Sequence, residues 1–482
     1  MPGVAADASS SPTYLIYMAP VSAQNLPTLL LSVAQDVEKA GGEAFLVGGW
    51  VRDHLLGIPC GDFDVEVYGL DLDKFLAILK KYGKPNLVGK AFGVITMTRD
   101  GQIFDFAFPR TENKTGGGHR GFEITADPHL DFATASSRRD FTINAMGLRL
   151  PNLELIDCHG GQEDLARGLL RHVSPAFSED PLRALRAVQF AARFNLDIHP
   201  ATQALCAAQP LEELPRERLF AEFKKLLLKA DKPSIGLEWM RRLEMLRFFP
   251  ELAALVGVPQ EPEWHPEGDV WIHTLMVVDQ AALLRTPQYT EGENLALMIA
   301  ALCHDLGKAF TTSHEGGRWR SPAHDVKGDR PTRAFLDRIT RETDLIEAVV
   351  TLVREHLKPA MLYNSRDVIK PGAIRRLALR ADIEKLVRLA RADHLGRTTE
   401  ESLAGLFPAG EWLLEESAKL SVLTEKPRPY LTGKYLLSLG AKPGPELGKI
   451  IQESFELQLE GDLASIEAAE EWAREKLKVG GW

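Results

Sequence analysis

The sequence predicts a mixed α/β unit over roughly the first 150 residues, followed by an all-α body. Three observations carry that prediction. Short apolar or alternating runs of strand length recur between residues 44 and 108. From about residue 178 the apolar spacing turns helical and stays so. Beyond that point Pro-rich joints at 210–215 and 259–266 separate helical stretches, with no further strand runs.

The elements follow in order. Residues 26–43 space their leucines and valines as a helix. Ala44–Val47 reads as a buried strand, broken by Gly48-Gly49, and a helix resumes from Trp50 to Leu56. Phe63–Tyr68 alternates and reads as a strand. Leu72–Tyr82 is helical, and Val94–Thr98 and Ile103–Phe108 form a strand pair joined by Arg99–Gln102. A polar loop is expected over Thr111–Gly121, containing Gly116-Gly117-Gly118. The tail from Gly405 carries further amphipathic helices around Pro427, Pro429, Pro443 and Pro445. The expected domains are an N-terminal extension (1–25), a head (26–150), a helical neck (151–255), a helical domain (256–400) and a helical tail (401–482).

Composition narrows the function classes. Of 482 residues, 45% are apolar and 26% charged, which is ordinary for a soluble globular protein. No stretch reaches bilayer-spanning length, so no membrane partner is expected. Residues 1–25 hold no Lys or Arg, which argues against a secretory signal. Cys60, Cys158, Cys206 and Cys303 form no C-x-x-C pair, which fits a cytoplasmic location and speaks against a cysteine zinc site. A net charge of −10 disfavours nucleic-acid binding only if charge is uniform. Arg138-Arg139, Arg216–Arg218 and Lys224-Lys225 are local basic clusters that could meet RNA, or be solvated faces.

The densest chemistry lies in Gly61-Asp62-Phe63-Asp64-Val65-Glu66-Val67. Alternation along a strand puts Asp62, Asp64 and Glu66 on one face. Carboxylates at i and i+2 can converge on a hard cation such as Mg²⁺, and such ions serve phosphoryl transfer. Asp105 offers a third carboxylate from a separate strand, opposite in face to Phe104, Phe106 and Phe108. Alone, Asp-x-Asp is as readily an amphipathic strand with its acidic side in water. Upstream, Gly48-Gly49-Trp50-Val51-Arg52-Asp53 is a glycine turn from strand into helix. There backbone N–H groups can face a triphosphate and Arg52 can add charge-assisted bonds.

Together these runs resemble the nucleotidyltransferase superfamily, and within it the class II CCA-adding enzymes and bacterial poly(A) polymerases. Arg138-Arg139-Asp140-Phe141-Thr142-Ile143-Asn144-Ala145-Met146 is similar to a family block placed near ribose and triphosphate. Phe108-Pro109-Arg110-Thr111-Glu112 resembles the start of the family's flexible loop. Ser178-Glu179-Asp180-Pro181-Leu182-Arg183-Ala184-Leu185-Arg186 resembles its E-D-x-x-R helix. In that helix Ser178 is the expected N-cap, and Asp180, Arg183 and Arg186 share a face. The resemblance implies that Asp180 and Arg183 read the base, with Arg186 in support. A carboxylate accepts from an exocyclic amine and an arginine donates to a ring nitrogen. Cytosine and adenine offer that pair; uracil and guanine do not. It further implies Mg²⁺ at Asp62 and Asp64, a catalytic role for Asp105, and nucleotide contacts from Gly48, Gly49, Arg52, Arg110, Arg139, Asp140 and Asn144.

A second constellation follows. His273, His304-Asp305 and Asp393 stand on separate helical patterns, the second near the end of a helix expected over Asn294–Lys308. The order His … His-Asp … Asp resembles the HD phosphohydrolase superfamily, and its imidazoles and carboxylates suit Mg²⁺, Mn²⁺ or Ni²⁺. His324 and His356 are further ligand or phosphate-contact candidates, and Lys308 could meet substrate phosphate. Leu169–Pro181, Trp264-His265-Pro266-Glu267, Ile272–Met276 and Leu302–Lys308 extend the likeness to bacterial multifunctional CCA enzymes over roughly residues 44–410. The tail segment Leu431–Gly448 is similar to C-terminal segments elsewhere in the family.

The resemblance implies an α/β nucleotidyltransferase head followed by an all-α body with an HD domain. It implies CCA addition to tRNA from CTP and ATP, together with hydrolysis of 3′-end or 2′,3′-cyclic phosphates. An A-adding enzyme or a poly(A) polymerase is the alternative, and a feebly catalytic, RNA-binding HD body stays open, as does the oligomeric state.

Overall fold

The computed structural model describes residues 22–88, 94–114 and 122–479. Most of the expected N-terminal extension and Gly116-Gly117-Gly118 lie outside the described residues. The chain forms two compact units, Met1–Glu222 with Trp239–Phe248, and Phe223–Glu238 with Phe249–Trp482.

In the first unit, β1 (Glu43–Val47), β2 (Phe63–Tyr68), β3 (Asn86–Val88), β4 (Val94–Arg99) and β5 (Gln102–Ala107) precede a separate hairpin of β6 (Arg110–Lys114) and β7 (Phe122–Ala126). Then come β8 (Gly147–Leu150) and β9 (Glu154–Ile156). The main sheet is ordered β3-β4-β5-β2-β1-β8-β9. Its pairs are antiparallel except β2 with β5, which are parallel and set Asp64 directly beside Asp105. Alternation works as expected: Phe63, Val65 and Val67 are buried, as are Phe104 and Phe106. The Phe63 and Phe104 rings stack at 5.4 Å, so burial of that face aims the carboxylates of both strands the other way.

Two local expectations are corrected. The loop expected over Thr111–Gly121 is paired backbone at its ends, where β6 and β7 begin and finish the hairpin. The residues between them lie outside the described ones. Ser178 caps no α-helix: it sits inside a 3-10 helix, Pro175–Glu179, whose own N-cap is Ser174. Asp180 then starts the helix Leu182–Phe194, because its carboxylate reaches the Leu182 N–H at 3.1 Å.

The second unit is helical apart from one unforeseen hairpin, Ser313–Glu315 with Arg318–Arg320. The helices Val270–Leu283, Glu291–Cys303, Thr343–Glu355 and Ile383–Leu395 pack around a core that includes Val277, Leu302, Val349 and Leu389. The second of these starts earlier than expected, where Thr290 and Glu293 make a reciprocal capping box. It also ends earlier, at Cys303. A Cβ on Gly307 would lie 2.0 Å from the His324 carbonyl, so glycine is needed for that close approach. The helices Gly433–Ser438, Pro445–Glu460 and Ile466–Val479 bury Leu436, Ile450 and Leu463 among themselves. No helix among the described residues is long and apolar enough to cross a membrane.

Candidate nucleotidyltransferase and HD sites

In the first unit the neighbouring inner strands β2 and β5 present Asp64 and Asp105 on one face of the sheet, and Asp62 directly precedes β2. Thr96 donates to Asp105 Oδ1 at 2.6 Å, which orients that carboxylate. Asp64 meets water on one side but is crowded by protein on the other. That desolvation, together with the Asp62 charge, pushes its carboxyl up to about 6. Gly48 ends β1 beside it with φ +72°, and a Cβ there would sit 3.3 Å from Arg139 Nη1 and 3.7 Å from Asp64 Oδ2. Glycine alone gives the backbone both that left-handed turn and that proximity. Glu66, the third member of the strand face, is held by Arg139 Nη2 (2.6 Å) and the Tyr68 hydroxyl (2.7 Å).

Arg52 is placed differently from its expected role at the triphosphate. It is 4% exposed, lies over the Phe190 and Phe194 rings, and donates to Asp53 and to Asn144 Oδ1. A bulky cation among aromatic rings needs a buried counter-charge, and Asp53 supplies it. Asn144 Nδ2 in turn donates to Asp140 Oδ1, and Arg186 grips Asp140 Oδ2 through Nε (2.7 Å) and Nη2 (2.6 Å). Burial opposes a charge on Asp140, but Arg186 and Asn144 outweigh it and hold the carboxyl below its ordinary range. Arg52, Asn144, Asp140 and Arg186 are therefore one hydrogen-bonded chain, buried except at Arg186.

Asp180 Oδ2 accepts from Arg218 Nη2 at 2.7 Å; Arg183 donates to the carbonyls of Ala176 and Arg138. The second of these bonds ties the helix to the Arg138–Asn144 block. Arg110 lies at the start of β6, where its carbonyl accepts from Arg138.

In the second unit each packed helix delivers one ligating group. His273 lies on the first, His304 and His356 follow the ends of the second and third, and Asp393 lies on the fourth. His304, His324 and His356 share one construction. Each places Nδ1 against the carbonyl three residues earlier, at 2.8, 2.8 and 2.6 Å. A carbonyl only accepts, so Nδ1 carries the proton and Nε2 keeps a lone pair. Those three Nε2 atoms are buried and find no hydrogen-bond partner among the described residues. His304 Nε2 and His324 Nε2 lie 3.2 and 3.3 Å from the two Asp305 oxygens, acceptor facing acceptor. Such an arrangement repels itself unless a proton or a metal ion sits between, and the donor set fits a metal ion. His273 Nε2 lies 3.1 Å from Asp393 Oδ1 and 3.9 Å from Asp305 Oδ2. Two groups whose donor atoms fall within 4.8 Å share Asp305: His273-His304-Asp305 and Asp305-His324-His356. Burial, with the neighbouring His324 and His304, pushes His356 down to about 4; the carboxylates of Asp305 and Asp393 outweigh burial at His304 and raise it.

Lys308 does not face outward to a substrate. Its Nζ is buried between Asp305 Oδ2 (2.7 Å) and Gln260 Oε1 (2.8 Å). The sequence reading also passed over Glu267. Its Oε1 lies 2.8 Å from His273 Nδ1 and 2.9 Å from His265 Nδ1, so one carboxylate stands against both rings. Its presence in Trp264-His265-Pro266-Glu267 was the available signal, but a single glutamate there carries no spacing that marks it as a partner of His273.

Comparison with known proteins finds three family models along the chain. A model described as "Poly A polymerase head domain" matches residues 44–171, one described as "Probable RNA and SrmB- binding site of polymerase A" matches 195–255, and "HD domain" matches 270–398. A multifunctional CCA protein of Xanthomonas campestris is 37% identical over 423 residues, covering 84% of this chain and 95% of that one. Among solved structures, the CCA-adding enzyme of Bacillus stearothermophilus in complex with CTP superposes with a TM-score of 0.63 at 23% identity, covering 93% of this chain and 97% of that one. The Thermotoga maritima CCA-adding enzyme complexed with tRNA does so with 0.58 at 21%, covering 95% and 97%. With a head of the poly(A) polymerase type, an HD domain and that identity over most of its length, the chain belongs to the multifunctional CCA protein family.

Proposed function

We propose that this chain adds CMP and AMP to the 3′ end of tRNA from CTP and ATP, and that its HD cluster hydrolyses phosphate esters at RNA ends, 2′,3′-cyclic phosphates among them. The observation that carries the first half is the parallel register of Asp64 with Asp105, two residues after Asp62. Asp62 and Asp64 would hold Mg²⁺, which supplies Lewis-acid stabilisation of charge on phosphate oxygens. Asp105, oriented by Thr96, takes the proton of the RNA 3′-hydroxyl as it attacks the α-phosphate, and pyrophosphate leaves. Backbone N–H groups at Gly48 and Gly49, with Arg110 and Arg139, hold the phosphates. Asp180 exchanges Arg218 for the exocyclic amine of cytosine or adenine, while Arg183 meets the ring nitrogen. Arg52, Asp140, Asn144 and Arg186 position these groups. The neck (151–255) would cradle the acceptor arm through backbone and shape.

In the HD domain (256–400), His273, His304, Asp305 and Asp393 would hold the metal, with His324 and His356 offering donors for a second ion across the shared Asp305. Mixed imidazole and carboxylate donors suit Mg²⁺, Mn²⁺ or Ni²⁺. The reaction with tRNA belongs in the cytoplasm. The test uses Mg²⁺ with tRNA transcripts lacking CCA, ending in CC, and ending in CCA, with CTP and ATP singly and together. Growth of the first by three residues, then a stop, is expected. Extension of the CC-ended transcript alone would make this an A-adding enzyme, and a long A ladder a poly(A) polymerase.

A further inference from the structure

Wherever burial is described, phenylalanine and tryptophan are buried or half-buried, with three exceptions: Trp264 (55% exposed), Phe310 (69%) and Trp319 (37%). All three stand next to the HD cluster. Trp264 precedes His265, which bonds Glu267. Phe310 lies two residues after Lys308, which grips Asp305. Trp319 ends two residues before Ser321, whose carbonyl fixes His324. Leaving so much aromatic surface in water forfeits burial worth about 25 cal/mol per Å², and it is concentrated here and nowhere else that burial is described.

The segments are tied together. The hairpin of Ser313–Glu315 and Arg318–Arg320 turns through Gly316-Gly317, and its base is fixed by Thr312 Oγ1 to Ser321 Oγ at 2.8 Å. The Trp319 N–H donates to Glu261 (3.0 Å) and Arg318 pairs with Glu263 (2.9 Å), which draws the hairpin to the strand of chain bearing Trp264. Trp319 and His314 are cross-strand partners with rings 4.8 Å apart, so one hairpin face is aromatic. Arg318 and Arg320 alternate to the other face, and Lys327 and Arg330 are exposed just beyond.

Flat π surfaces with cations on the adjoining face and segment, beside a cluster built for phosphate esters, match one ligand chemistry: unstacked nucleobases carrying phosphate. We propose that Trp264, Phe310 and Trp319 form a stacking platform for the terminal bases of single-stranded RNA, selecting RNA ends over other phosphate esters at the HD site. This rests on the phosphohydrolase reading of that site.

The test compares an oligoribonucleotide ending in a 2′,3′-cyclic phosphate with glycerol 1,2-cyclic phosphate, the same strained ester without a base. Trp319→Ala and Trp264→Ala should each raise KM for the oligonucleotide about tenfold with kcat little changed, so that selectivity over the glycerol ester falls tenfold. Trp319→Phe should restore most of it. Equal losses on both esters would mean that the hairpin only supports the cluster, and would overturn the platform. A mononucleotide 2′,3′-cyclic phosphate run alongside separates a platform for one base from one for a strand. If the wild-type protein cleaves no ester, the hydrolase reading fails, and crosslinking decides the platform separately. A 3′-terminal 4-thiouridine should then mark Trp264, Phe310 or Trp319, whereas marks confined to residues 44–255 would overturn it. A self-association lost on Trp319→Ala without change in RNA crosslinking would also overturn it, in favour of a protein interface.

Discussion

Asp64 and Asp305 anchor the two candidate sites, and their surroundings differ in almost every respect. Asp64 stands on an inner strand with water on one side and other carboxylates near it, and its carboxyl is pushed up to about 6. Asp305 is 1% exposed, beside Lys308, His304 and His324, and those cationic or potentially cationic neighbours overcome burial to hold it well below the ordinary range. Water can solvate the first set when no cation is present. In the second, three imidazole Nε2 atoms are buried without hydrogen-bond partners among the described residues. Ion binding in the head should therefore serve chemistry, and in the HD domain it should serve folding as well.

The largest effect expected is a double dissociation. Asp64→Asn should cut nucleotide addition at least about a thousandfold, the scale of losing a preorganised electrostatic group, while leaving ester hydrolysis intact. Asp305→Asn should do the reverse. Loss of both activities from either change would collapse the contrast into general misfolding, which circular dichroism would reveal. The next effect concerns stability. Chelation should speed amide exchange in Val270–Leu283 and Ile383–Leu395 by up to about a thousandfold, equivalent to about 4 kcal/mol of ligand stabilisation. Exchange in Phe63–Tyr68 should change by less than about tenfold. Equal changes in the two units would defeat the comparison. A smaller effect should follow Glu267→Gln, which keeps the shape but weakens the acceptor on His273 Nδ1. Metal affinity by titration calorimetry should drop about 10- to 100-fold, and an unchanged affinity would reduce Glu267 to packing.

The same contrast explains what could be read from sequence. The head's face-sharing carboxylates were legible because strand alternation fixes direction locally: knowing that Phe63 is buried tells where Asp64 points. The His273, His304, Asp305 and Asp393 grouping was legible as an order of residue types, and the helices do bring them together. The buried settings of Arg52 and Lys308 were not legible, for one reason. A cation near an acidic site is as readily a buried counter-charge as a substrate contact. Only the rings of Phe190 and Phe194, more than 130 residues from Arg52 in the chain, decide the first case. Gln260, 48 residues upstream, helps decide the second. The hairpin at 313–320 was missed because three-residue strands give no periodicity to detect.

The smallest effect is also the sharpest. A carboxyl raised in the folded state favours its protonated form, so the folded head gains from Asp64 at low pH and loses that gain as pH climbs from about 4 to about 6. Above that window, without divalent ions, Asp64 is a net cost, and Asp64→Asn removes it. The cost is about 1 kcal/mol once solvent on the open side is allowed for. Amide exchange of Phe63–Val67 at pH 7 in chelator should thus be a few-fold slower in Asp64→Asn than in the wild type, with no difference below pH 4. Comparing the two proteins at each pH cancels the intrinsic exchange rate. Adding Mg²⁺ at pH 7 should reverse the order, because only the wild type gains a ligand. A variant slower with and without Mg²⁺ would show that Asp64 does not hold the ion. A variant faster in both would show that the carboxylates are already balanced by Arg139, and that the open face of the head is no more strained than the buried cluster of the HD domain.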